Sequence, residues 1–96
     1  MQIHIKEEVF KKDIASLDKK IADQCVAKIK TLKDFPQVSN LKQLKGIGQN
    51  IYRLRSGDYR ILFSVNGDKK IITIFAIKHR KDVYKYVHSF LKLLNS

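Results

Sequence analysis

Hydrophobic and polar positions change their rhythm several times along this 96-residue chain. "QIHIK" alternates, which predicts a short strand over residues 2–6. Phe10, Ile14, Leu17 and Ile21 then recur at helical spacing, and the stripe continues through Cys25, Ile29 and Leu32. Asp18 interrupts it as an N-cap candidate, so two helices are expected, about 7–16 and 18–33, folded as a hairpin. "DFPQVSN" stops the second, because Pro36 pushes Phe35 out of helical geometry. Residues 34–49 read as a connection.

Three strands follow: "NIYRLR" (50–55), "DYRILFSV" (58–65) and the almost wholly apolar "KIITIFAIK" (70–78). An uninterrupted apolar run suggests a strand covered on both faces. "SG" separates the first pair, and "NGD", with its Asn-Gly turn signal, separates the second. Val83, Val87, Phe90, Leu91 and Leu94 mark a C-terminal helix of about 82–94. The pattern predicts one α+β domain over 1–96: strand, helix, helix, three-strand meander, helix, with the helix hairpin on one face of a four-stranded antiparallel sheet.

Charge changes the picture more than composition does. The formal net charge is +11, from 20 basic and 9 acidic residues. Residues 1–40 hold eight lysines against six acids; residues 41–96 hold twelve basic groups against three. So basic a second half attracts polyanions, of which nucleic acid is the commonest in a cell. No apolar run approaches the roughly 20 residues of a membrane span. The N-terminus lacks a signal pattern, so a cytoplasmic protein without membrane contact is expected. Cys25, the single cysteine, excludes an internal disulfide and a cysteine-based zinc cluster, and its helical neighbours make it a small buried hydrophobe.

All four arginines fall between residues 53 and 80. If Ser56 and Gly57 form a two-residue loop, Arg53 faces Arg60 and Arg55 faces Asp58. Tyr52, Leu54, Tyr59 and Ile61 then share the core face, while Arg53, Arg55 and Arg60 share the other. Two arginines directly opposite each other repel, unless an anion sits between them. Guanidinium grips phosphate through paired hydrogen bonds and keeps its charge. The plainer arrangement has Arg55 paired with Asp58 and the other two in solvent. "IKHRKDVY" runs off the last strand into the helix, where His79, Arg80 and Tyr84 can converge beside the arginine face. RNA cleavage needs a base for the 2′-OH, cations for the phosphate and an acid for the 5′-oxygen. Arginines fit the second role, and His79 and Tyr84 are the nearby acid/base groups. Lys42, Lys45, Arg55, Lys78 and Lys81 are candidates for holding the RNA backbone. No metal-ligand spacing, carboxylate pair or phosphate-cradling glycine loop is visible.

With "LKQLKG" upstream, then "YRLRSGDYRILF", a polar turn, the apolar strand and "IKHRKDVY", the chain resembles the RelE/ParE toxin superfamily. The resemblance implies the toxin of a toxin–antitoxin pair, neutralised by an acidic antitoxin. For RelE-like members it implies a metal-independent and cofactor-independent endoribonuclease that cuts mRNA on the ribosome. It carries a site onto Arg53, Arg60, Arg80 and Tyr84, with Tyr84 stacking on or orienting a base. Ile51 stands where some RelE-like nucleases have a further lysine, which draws attention to His79. ParE-like members share the fold but poison DNA gyrase without nuclease activity, and a third possibility is an inactive relative that only binds antitoxin or RNA.

Overall fold

In the computed structural model, which describes residues 1–44 and 50–94, five strands form one sheet in the order β1-β5-β4-β3-β2. The strands are β1 Gln2–Ile5, β2 Leu41–Gln43, β3 Ile51–Ser56, β4 Tyr59–Asn66 and β5 Ile71–His79. β2 corrects the expected four-stranded sheet. It pairs antiparallel with β3 inside the stretch read as a connection, Leu41 opposite Leu54 and Lys42 opposite Arg53. Three residues with one partly buried apolar side chain leave too short an alternation to be seen in sequence. β1 is a second correction, because it runs parallel to β5 and the sheet is mixed. A parallel neighbour needs a long crossover, which here is β1's route through the helices and the meander.

The helical hairpin is wound more widely at its start than the stripe implies. A π-helical segment spans Val9–Ile14, and the regular helix α1 covers Lys19–Lys30 before a 3-10 turn at Thr31–Asp34. Asp18 occupies the N-cap in extended geometry (φ −56°, ψ 146°) without a side-chain capping bond. Phe35 leaves helical geometry ahead of Pro36, at φ −51° and ψ 134°. From this hairpin Val9, Cys25, Ile29 and Leu32 pack against Leu54, Ile61, Phe63, Ile72, Ile74 and Ile77. Phe35, Tyr52 and Phe63 close the core edge as an aromatic trio, with Tyr52 stacked on Phe63 at 5.5 Å. Cys25 is fully buried, and burial pushes its thiol up against a smaller opposite pull from a hydrogen bond with Ser56.

The second face of the sheet carries a second, smaller core. Helix α2, Val83–Leu94, seats Val83 with Leu62 and Ala76, and Leu44, Phe75, Tyr86 and Val87 surround them. The apolar run of β5 serves both faces by alternation, and a bulge shifts its phase where the register passes from Leu62–Ala76 to Phe63–Ile74. Phe75 is the extra residue, so Ile74 and Ile77 both reach the main core. The side chains at 90, 91 and 94, used above to place this helix, lie outside the described residues.

Both hairpin loops differ from the sequence reading. Ser56 pairs with Tyr59, so the first loop is Gly57-Asp58. Gly57 has φ +57°, the positive value that a two-residue loop of the II′ kind requires at its first position. Ser56 therefore belongs to the strand. Nothing lies within 4 Å of where a Cβ at Gly57 would stand. Gly57→Ala is thus expected to cost about 1–2 kcal/mol through backbone strain alone. An unchanged urea midpoint in that variant would show that the turn does not hold this conformation. The second loop has four residues, 67–70, because Asn66 pairs with Ile71. There the Asn66 side-chain oxygen accepts from the Lys69 N–H at 3.1 Å, so asparagine shapes the turn as a local acceptor.

Candidate phosphate-binding face

Moving the loop by one residue changes which arginines meet. Arg55, not Arg53, lies directly opposite Arg60, and Arg53 lies opposite Leu62. Arg53, Arg55 and Arg60 still share one face, because the pairing shifts by two positions. Lys78 continues the row beyond Arg60, and Lys42 flanks Arg53 on the edge strand. Two cationic rows therefore cross the second face of the sheet: Lys42 with Arg53, and Arg55 with Arg60 and Lys78.

Arg60 is the best-fixed member. It is partly buried, and its Nη1 donates to the carbonyls of Gly57 at 2.9 Å and Tyr59 at 3.0 Å. Its pKa is lowered from the ordinary arginine value, first by burial and then by the like charges of Arg53, Arg55 and Arg80, while Asp58 opposes the shift. That three arginines act on a fourth is the electrostatic mark of a cluster. Arginine keeps its proton through such a shift, so the cluster stays cationic.

Arg80 follows the end of β5 and is held against the first hairpin loop. Its N–H donates to the Asp58 carbonyl at 2.7 Å, and its Nε lies 3.7 Å from Asp58 Oδ1. Asp58 thus pairs with Arg80 and not with Arg55. Among the described residues it is the arginines' one ion-pair partner. Both side chains are more than half exposed, so the pair contributes little to stability. Tyr84 stands open to solvent in the first turn of α2, at 74% exposure. Lys42, Arg55 and Lys81 are exposed as well.

Two predicted residues are placed otherwise. His79 pairs with Tyr59 and its ring meets that tyrosine edge-on at 5.2 Å, on the helix-hairpin face. Its Nδ1 accepts from the Lys81 N–H at 3.1 Å. His79 therefore does not converge with Arg80 and Tyr84 on the arginine face; strand alternation sends it to the other side. Lys78 lies on the right face but is already engaged. Its Nζ donates to Asp13 Oδ1 at 3.2 Å and sits 5.0 Å from the centre of the Tyr86 ring. Burial raises the pKa of Tyr86, and the carboxylates of Asp13 and Glu8 raise it further. Asp13 was missed by the sequence reading: its link to residues 77 and 78 spans more than sixty positions and leaves no local signal. Lys45 lies outside the described residues. Among those described, no group of three or more His, Cys, Asp or Glu side chains could hold a metal ion, and no helix is long and apolar enough to cross a membrane.

Comparison with known proteins identifies the family. Residues 5–84 match the family described as the ParE toxin of type II toxin–antitoxin systems. Over 47 residues the chain is 45% identical to Toxin RelE3 of Methanocaldococcus jannaschii, a match covering 49% of this chain and 50% of that one. The chain thus spans about half the length of this curated relative. The crystal structure of an archaeal RelE–RelB complex from Pyrococcus horikoshii OT3 superposes with a TM-score of 0.69 at 31% identity, covering 82% of this chain and 93% of that one. A RelB–RelE antitoxin–toxin complex from Methanococcus jannaschii gives 0.68 at 28% identity, with 86% and 96% covered. With residues 5–84 matching the family and an archaeal RelE sharing the fold at 31% identity, the chain belongs to the RelE/ParE superfamily of toxins of type II toxin–antitoxin systems.

Proposed function

We propose that this protein is the RelE-like toxin of a toxin–antitoxin pair and that it cleaves mRNA on the ribosome, through attack of a ribose 2′-OH on the neighbouring phosphate. The observation that carries this reading is the gathering of Arg53, Arg55 and Arg60 on one face, with Arg80 held at its end and a single exposed carboxylate beside them. As the 2′-oxygen attacks, the phosphate gains negative charge. Guanidinium groups already in position stabilise that charge more than they stabilise the resting diester, which is what lowers a barrier. Arg60, fixed by two carbonyls, is the central donor in this scheme. Arg53, Arg55 and Arg80 surround it, and Lys42 and Lys81 extend the track for the RNA backbone. Tyr84 offers an exposed ring for stacking on a base and a phenol that can pass a proton. His79, turned toward Tyr59, supports the fold at the strand end instead.

Purified protein added to ribosomes programmed with mRNA is expected to leave 5′-hydroxyl ends at discrete positions. Intact mRNA together with DNA-damage signalling in expressing cells would overturn this and point to gyrase. Intact mRNA with undisturbed DNA would leave only binding. The relatives solved with RelB also support an antitoxin partner here. An acidic segment that folds on contact suits a surface of +11, and seated over the arginines it would exclude RNA.

Binding of RNA should weaken steeply with salt. Four arginines, each replacing counterions on a single strand, predict a log–log slope of about −3. An affinity indifferent to salt would exclude the arginine face as the RNA footprint.

A further inference from the structure

The three residues around the first hairpin loop each lend a main-chain carbonyl to the arginine cluster. Gly57 and Tyr59 accept from the Arg60 side chain, and Asp58 accepts from the Arg80 N–H. Asp58 alone adds a carboxylate, 3.7 Å from the Nε edge of Arg80. A negative charge beside a phosphate site is unfavourable for RNA binding, so its presence calls for a compensating use. Arg80 is exposed, lies beyond the last strand and has no other side-chain partner among the described residues. A free arginine would spread over many rotamers, and ordering it during the reaction would add to the barrier.

We propose that Asp58 is a positioning residue: it holds Arg80 by its Nε edge beside Arg60, so that the terminal guanidinium nitrogens of Arg80 stay turned toward the phosphate. This rests on the nuclease reading above. Guanidinium geometry allows it, since the Nε side and the outer nitrogens form separate donor edges. The same carboxylate repels RNA in the ground state. Removing it should therefore weaken catalysis and strengthen binding at once.

The test compares wild type with Asp58→Asn and Asp58→Glu. In ribosome-bound mRNA cleavage, Asp58→Asn should lower kcat about tenfold while KM falls by about threefold, and Asp58→Glu should recover most of kcat. Arg80 Nε–H is followed in parallel by 15N-resolved NMR. Its signal should stand apart from those of flexible arginines in wild type and in Asp58→Glu, and collapse toward them in Asp58→Asn. A purely structural role would lower kcat with KM unchanged and the melting temperature reduced. A merely repulsive charge would give Asp58→Asn a higher kcat. Either result overturns the proposal, as does an Arg80 signal that is the same in wild type and Asp58→Asn. Should wild type not cleave mRNA at all, the nuclease reading falls, and the Arg80 signal still decides whether Asp58 fixes that side chain.

Discussion

Replacing Arg60 with alanine is expected to lower mRNA cleavage by about 10²–10³-fold while the chain stays folded. Arg60 sits in the middle strand of the cationic rows, partly buried, and its guanidinium is anchored to the carbonyls of Gly57 and Tyr59. A charge held in place before the phosphate arrives needs no reordering at the transition state, so its loss is felt mainly in kcat. Arg60→Lys should recover only part of the rate, because an ammonium keeps the charge but loses the planar fork. Stability has little reason to suffer. Arg60 opposes Arg55 in register, and removing one of two facing like charges relieves repulsion of up to about 1 kcal/mol. Arg80→Ala should also lower the rate strongly at constant melting temperature. Cleavage at wild-type rates by both variants would remove the arginine face from the reaction.

Asp13→Ala should produce the largest loss of stability outside the apolar core, about 2–3 kcal/mol. The side chain is 13% exposed and makes two bonds to β5, accepting from the Ile77 N–H at 2.8 Å and from Lys78 Nζ at 3.2 Å. Ile77 lies past the end of β1, whose pairing with β5 stops at Ile5 and Ile74, so Asp13 takes over where the neighbouring strand ends. Without it a partly buried N–H has no partner, and Lys78 is left half-buried with only the Tyr86 ring beside it. The melting temperature should fall by roughly 10–20 °C for a domain of this size. Asp13→Asn, which keeps an acceptor for Ile77 but loses the charge, should show about half the loss. Thermal and urea unfolding report both values, and an alanine variant as stable as wild type would exclude the bridge as a fastening. Lys78 released in this way would also join the arginine row, so RNA affinity per folded molecule should rise slightly.

Some of the site was legible in the residue pattern alone. Arginines at 53, 55 and 60 fall on one face whether the loop is Ser56-Gly57 or Gly57-Asp58, since an even shift in pairing preserves sidedness. The partner of each does not survive the shift. The pairing of Ser56 with Tyr59, which leaves Gly57-Asp58 as the loop, decides that Arg55 meets Arg60. His79 was grouped with Arg80 and Tyr84 because neighbours in sequence look like neighbours in space. On a strand, consecutive side chains point to opposite faces, and the ring contact with Tyr59 shows which one His79 takes. The bulge at Phe75 could not be foreseen either, because an unbroken apolar run hides a change of phase.

The sequence by itself determined the α+β order of elements, the buried stripe of the helix hairpin, the basic second half and the confinement of guanidinium to one hairpin and its flank. These are local matters of periodicity, turn chemistry and charge, which a chain carries whatever it packs against. The tertiary structure alone decided that the first strand runs parallel beside the last, that a fifth strand forms at the edge, that Asp58 takes Arg80, and that Asp13 takes Lys78 out of the cationic row. Each of these joins residues far apart in the chain, through contacts whose gain appears only once the intervening segments have already folded back on one another.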